Sequence, residues 1–175
     1  MKKENHDHHH HHIPNIDVKV GVIVCSDRAS RGEYDDKVIP TMKEILMDIG
    51  WELTYTKIVP DTINDIRKAI EEGIKSGVHV LFTAGGTGVS PRDVTPEATK
   101  PYLAKELPGM ADYIRYISWQ KTPHALLSRG LAGITPLGTI IINLPGSPKA
   151  AREIIPEIKN AILHAIPIIQ GYKIE

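Results

Sequence analysis

Aromatic side chains are scarce in this 175-residue chain, which has one Phe, two Trp and six Tyr, and cysteine is scarcer still, with Cys25 alone. A single cysteine forms no internal disulfide, so a disulfide-stapled secreted scaffold is excluded and a reducing, cytoplasmic setting is expected. Charge of one sign is lacking too. The 21 basic residues balance the 21 acidic ones, leaving no electrostatic footprint for a nucleic-acid partner. No apolar run approaches the about 18 residues that span a bilayer, and no apolar core follows a basic start as in a secretory signal, so no membrane partner is expected. Nine histidines look plentiful, but His6 and the run His8 to His12 read as an expression tag. Residues 1–12 are therefore set aside as a disordered tag. Lys2, Lys3, Glu4 and Asp7 leave with it, and the charge stays balanced. Residues 13–175 then have the size of one domain.

What is present is punctuated βα patterning. Val18 to Cys25 is β-branched and apolar enough for a strand buried on both faces. Val38, Met42, Ile45, Leu46 and Ile49 recur at helical spacing, with Pro40 in the first turn and Gly50 as the stop. Leu53 to Val59 reads as a second strand. Thr62 is placed to cap a helix striped by Ile63, Ile66, Ile70 and Ile74. A third strand, Val78 to Phe82, precedes a glycine-rich loop, after which Thr95-Pro96-Glu97 reads as a helix start with a hydroxyl cap. Pro108-Gly109 breaks that helix before another to about Gln120. Ala132 to Ile134 and Gly138 to Asn143 suggest a hairpin, hence one antiparallel member of the sheet. Pro148 to about Gln170 is helical by its isoleucines, with Pro156 and Pro167 expected to kink or divide it. The expected fold is a three-layer αβα domain around a mostly parallel, mixed sheet.

Ligands of such open sheets bind beyond the carboxyl ends of the strands. Four polar loops fall there: Ser26-Asp27-Arg28, Pro60-Asp61, Gly85 to Asp93, and Asn143 to Pro148. In the third, Gly85, Gly86 and Gly88 let the backbone approach a ligand closely and turn bare N–H groups toward anionic oxygens, with Thr87 between them. The loop then delivers Asp93, a carboxylate suited to a divalent cation bridging protein and phosphate. The plain alternative is a tight βα connection. The spacing matches neither the P-loop nor the dinucleotide fingerprint, so neither mechanism applies. Asp27 and Asp61 also suit helix capping, and Arg92 suits either a triphosphate or a neighbouring Glu. Cys25 reads as packing, and His79 and His164 as core or interface residues. No His or Cys cluster has zinc spacing.

Together, Ser26-Asp27-Arg28, Pro60-Asp61, Gly85-Gly86-Thr87-Gly88 with Pro91 to Thr99, and Asn143 to Pro148 resemble the molybdopterin adenylyltransferases of the MogA/MoaB type, from about Val18 to Gly171. The resemblance implies the molybdenum cofactor biosynthesis fold and transfer of AMP from Mg-ATP to the terminal phosphate of molybdopterin. Asp61 and Asp93 would be the catalytic, Mg2+-holding acids. Ser118 would help bind molybdopterin, Pro145, Gly146 and Ser147 would line a cleft shared by pterin and nucleotide, and Ser26, Asp27 and Gly85 to Gly88 would contact substrate. A homotrimer and a downstream molybdate-insertion protein are implied as partners. Two other readings stay open: a non-catalytic molybdopterin scaffold, as in gephyrin-like clustering proteins, and a CinA-like nucleotide pyrophosphohydrolase.

Overall fold

The structure, a computed structural model, describes residues 15–173; the expected tag lies outside them. Six strands form one sheet in the order β2-β1-β3-β6-β5-β4. Strands β1 (Lys19–Cys25), β2 (Glu52–Val59), β3 (Val80–Ala84) and β6 (Ile140–Leu144) run parallel; β1, β3 and β6 are buried apolar strands, as interior parallel strands are, whereas β2 is a largely exposed edge strand. Strand β5 (Ala132–Ile134) pairs antiparallel with β6, the expected hairpin, and with the two-residue β4 (Lys105–Glu106).

Alternation along the strands divides the core between two faces. Val20, Val22 and Val24 of β1 point toward α2 (Val38–Asp48), α5 (Pro108–Trp119) and α6 (Pro148–Ile169). Ile23 and Cys25 point the other way, toward α3 (Ile63–Lys75) and α4 (Thr95–Thr99). That is the expected three-layer αβα sandwich. The short α1 (Asp27–Ser30) follows β1 directly.

Four local expectations need correction. The helix that opens at Thr95 ends at Thr99, with a 3-10 turn and β4 before Pro108, so Pro108 starts α5 and does not break α4. Helix α6 is one continuous helix of 22 residues despite Pro156 and Pro167; its buried row Ile154, Ile155, Ile158, Ile162 and Ile166 docks on the sheet, and that burial outweighs the missing backbone donors. Thr95 is the first residue of α4 and not its cap, which falls on Val94. Thr62 does occupy the cap position of α3, yet its hydroxyl donates to the Asp65 carboxylate instead of accepting a helical N–H.

Strand β1 lies between β2 and β3, and the connections from β1 to β2 through α2 and from β2 to β3 through α3 cover opposite faces of the sheet. That topological switch opens a crevice at the carboxyl ends of β1 and β3, beside the loops that begin at Ser26 and Gly85. Cys25 closes the floor of this crevice. Burial pushes its thiol up to about 12, with the nearby Thr95 hydroxyl opposing and the Asp61 charge adding. A protonated, buried thiol is a poor nucleophile. In the native protein at pH 8 we expect no fast reaction with a disulfide reagent and one reactive thiol after denaturation; rapid native labelling would contradict the packing role.

Candidate functional site

The glycine loop turns sharply because Gly85 and Gly86 adopt φ of 99° and 70°. At Gly85 the chain passes so close to β1 that a Cβ would stand 2.5 Å from the Cys25 carbonyl oxygen. Gly86 packs against Thr95 Oγ1 and Asp61 Oδ1, which draws the β3 loop, α4 and the β2 loop to one point.

A cavity of about 480 Å³ opens there, walled by Ser26, Asp61, Gly86, Asp93, Gly146 and Ser147. The two acids expected from separate turns therefore meet in one space. A second cavity, of about 390 Å³, holds Ser118 with Thr87, Gly88, Pro145 and Ser147. Ser147 lines both, and the two cavities divide the glycine loop and the Pro145-Gly146-Ser147 turn between them. The second is the more apolar in character, with Ile114, Ala125 and Leu127 facing Arg115, Lys121 and Lys149. Asp27 and Gly85 line neither cavity and stand behind the first.

Asp27 and Asp61 grip each other through the backbone. The Asp27 N–H donates to Asp61 Oδ2 at 3.0 Å, and the Asp61 N–H donates to Asp27 Oδ1 at 2.9 Å. Neither acid caps its own helix: Ser26 caps α1 by accepting from the Ala29 N–H, and Thr62 holds the cap position of α3. Arg92 forks onto both Asp27 oxygens at 2.9 and 3.0 Å, so its partner is Asp27 and not a neighbouring Glu. That guanidinium, followed by the Asp61 N–H, holds the Asp27 carboxyl below its usual range.

Asp61 behaves in the opposite way. Burial raises its pKa, the Asp27 N–H opposes, and the charges of Asp27 and Asp93 raise it further. Its Oδ1 is buried and has no hydrogen-bond partner, and Thr95 Oγ1 shares that condition. An anionic oxygen is rarely buried without compensation. Among the described residues no three His, Cys, Asp or Glu side chains group as a metal site, so a cation here would take its remaining ligands from phosphate or water, as magnesium commonly does.

Two residues acquire a different meaning from the structure. Asn143, which opens the last motif, is buried structure: its amide donates to Thr83 and Thr99 hydroxyls and accepts from the Leu131 N–H. Arg129, absent from every motif, donates to the carbonyls of Gly88 and Asp93 and to both oxygens of Glu97. No local signal marks it, because its partners lie at least 32 positions away.

An open α/β sheet with acids and a glycine loop at its switch point is the arrangement in which α/β proteins commonly bind phosphate-bearing ligands. Comparison with known proteins narrows this class. Residues 21–165 match the family described as probable molybdopterin binding domain. The chain is 37% identical over 157 residues to the molybdopterin adenylyltransferase of Escherichia coli K12, covering 85% of this chain and 80% of that protein. It is 41% identical over 162 residues to gephyrin of Dictyostelium discoideum, covering 87% of this chain but only 22% of that much longer protein. A crystal structure of the molybdopterin biosynthesis enzyme MoaB from Thermus thermophilus superposes with a TM-score of 0.80 at 38% identity, covering 90% of this chain and 99% of the other. The chain belongs to the molybdopterin adenylyltransferase family of molybdenum cofactor biosynthesis proteins.

Proposed function

We propose that this protein transfers AMP from Mg-ATP to the terminal phosphate of molybdopterin, giving adenylyl-molybdopterin and pyrophosphate. The observation that carries this reading is the pairing of Asp61 and Asp93 in the wall of one cavity, with the unpartnered Asp61 Oδ1 buried against Gly86 of the glycine loop. A molybdopterin phosphate oxygen forms a new bond to the α-phosphorus of ATP, the bond from that phosphorus to the bridging oxygen breaks, and its electron pair leaves with pyrophosphate. The nucleophile is already anionic near neutral pH, so no general base is required and none is assigned.

The chain's own residues supply alignment and charge management. The Gly85 N–H is given to Leu144 O at 3.0 Å, so the backbone N–H groups of Gly86, Thr87 and Gly88 are the ones suited to triphosphate oxygens, and Ser147, common to both cavities, would lie between pterin phosphate and nucleotide. Ser118 would hold the pterin side. Orientation of this kind supplies roughly 7 to 11 kcal/mol when geometry is good. Asp61 and Asp93 fit a magnesium ion, which when bound would neutralise charge on the departing pyrophosphate. A homotrimer, delivery of product to a molybdate-inserting protein and action in the cytoplasm belong to the same proposal. Among the described residues no helix is long and apolar enough to cross a membrane.

The test is pyrophosphate release from ATP, measured with molybdopterin and Mg2+ each present or omitted. Release that requires both is expected. Release without pterin would favour a hydrolase, and pterin binding without release a scaffold.

A further inference from the structure

The loop that delivers Asp93 is poorly held by its own residues. Val89, Ser90, Pro91 and Arg92 are exposed, and the internal bonds, Asp93 N–H to Ser90 O and Ser90 N–H to Asp93 Oδ2, fix Asp93 to Ser90 but not to the sheet. Arg92 ties the tip to Asp27. Backbone bonds from Gly85 N–H to Leu144 O and from Thr95 N–H to Gly86 O anchor the chain on either side, and the stretch from Gly88 to Asp93 between them needs a further tie.

We propose that Arg129 is a positioning residue that sets where Asp93 stands against Asp61. Its Nε donates to Gly88 O at 2.7 Å and its Nη2 to Asp93 O at 2.8 Å, so one planar group spans both ends of the turn. Its Nη1 donates to both Glu97 oxygens at 2.8 and 2.7 Å, which orients that plane from α4. Its backbone N–H donates to Thr87 O at 2.8 Å. The pair with Glu97 is partly exposed, 39% and 45% for the two side chains, and such a pair contributes little stability. Its effect is directional. A lysine carries the same charge on a single nitrogen and cannot span two carbonyls and a carboxylate at once. The inference rests on the adenylyl-transfer reading, in which the spacing of the two acids decides how a cation and triphosphate are held.

Arg129→Lys separates positioning from bulk structure. With ATP-loaded protein and Mn2+ as the probe, free Mn2+ is followed by electron paramagnetic resonance. The variant is expected to bind Mn2+ roughly 10- to 100-fold more weakly, the usual effect of removing a group that orients a metal ligand. Its kcat falls by a similar factor. The KM for molybdopterin stays unchanged, because the residue-129 N–H still holds Thr87 beside the Ser118 cavity. A purely architectural arginine would lower the melting temperature and leave Mn2+ affinity and kcat of the folded protein as in wild type, and that result overturns the proposal. Should the lysine variant fail to fold, Glu97→Gln keeps the arginine while relaxing its plane; weaker Mn2+ binding is expected, and wild-type affinity overturns the role. Wild-type protein that releases no pyrophosphate would sink the adenylyl-transfer reading itself, whereas an active wild type with an unaffected lysine variant sinks only the role of Arg129.

Discussion

Asp61→Asn is expected to lose most pyrophosphate release while keeping, or slightly raising, the thermal stability of the fold. The asparagine still accepts the Asp27 N–H through its carbonyl oxygen, so the backbone clasp between the β1 and β2 loops survives. What disappears is a buried charge that burial and the neighbouring Asp27 and Asp93 carboxylates all oppose. A carboxyl whose folded pKa lies above its unfolded value costs stability once ionised, so the native protein gains stability as pH falls through that raised pKa. The neutral amide should remove this part of the pH dependence. Removing one preorganised charge from the transition state costs roughly 10² to 10³ in turnover, and Asp93→Asn should lose turnover with molybdopterin binding retained, since Asp93 does not line the Ser118 cavity. Parallel measurement of kcat and melting temperature decides the matter. An Asp61→Asn protein with unimpaired turnover would remove Asp61 from the chemistry.

Gly85→Ala should damage stability and activity together. Its φ of 99° is a conformation that side-chain-bearing residues rarely adopt, and the added methyl would meet the Cys25 carbonyl at 2.5 Å with Gly146 behind it. The obstacle is backbone, so no rotamer change relieves it. Strained backbone of this kind costs about 1–3 kcal/mol, and overpacking typically adds about 1–3 kcal/mol more. For a domain of this size each kcal/mol lowers the melting temperature by roughly 2–4 °C. The relief available is movement of the loop away from β1, which carries the phosphate cradle with it. Gly109→Ala is the control, because nothing lies within 4 Å of its Cβ position. A Gly85→Ala protein matching that control in melting temperature and kcat would show that the loop does not need its close approach.

Much of this architecture is legible in the amino-acid sequence. Parallel strands announce themselves as apolar β-branched runs, and acids or glycines placed immediately after them mark one rim of a sheet, so Asp61, Asp93 and the glycine loop can be found by position alone. The family resemblance adds Ser118, which local chemistry would leave as an ordinary helical serine. Illegible parts share a physical cause. Pro156 and Pro167 carry a local signal against helix, overridden by a buried row of isoleucines whose partners lie elsewhere in the chain. The two-residue β4 is too short for periodicity to register. Asp27 reads as much like a cap as a ligand, and it becomes a clasp only through an Arg92 that is 65 positions distant in sequence. Arg129 has no motif because its work is done on carbonyl oxygens, which every residue possesses.

The most direct test of the central claim is anomalous diffraction from crystals of the protein soaked with Mn2+ and ATP. The account predicts a manganese peak within coordination distance of both the Asp61 and Asp93 carboxylates, with phosphate oxygens of the nucleotide completing its shell. A peak bound to the nucleotide alone, with both carboxylates turned away from it, would contradict the shared site.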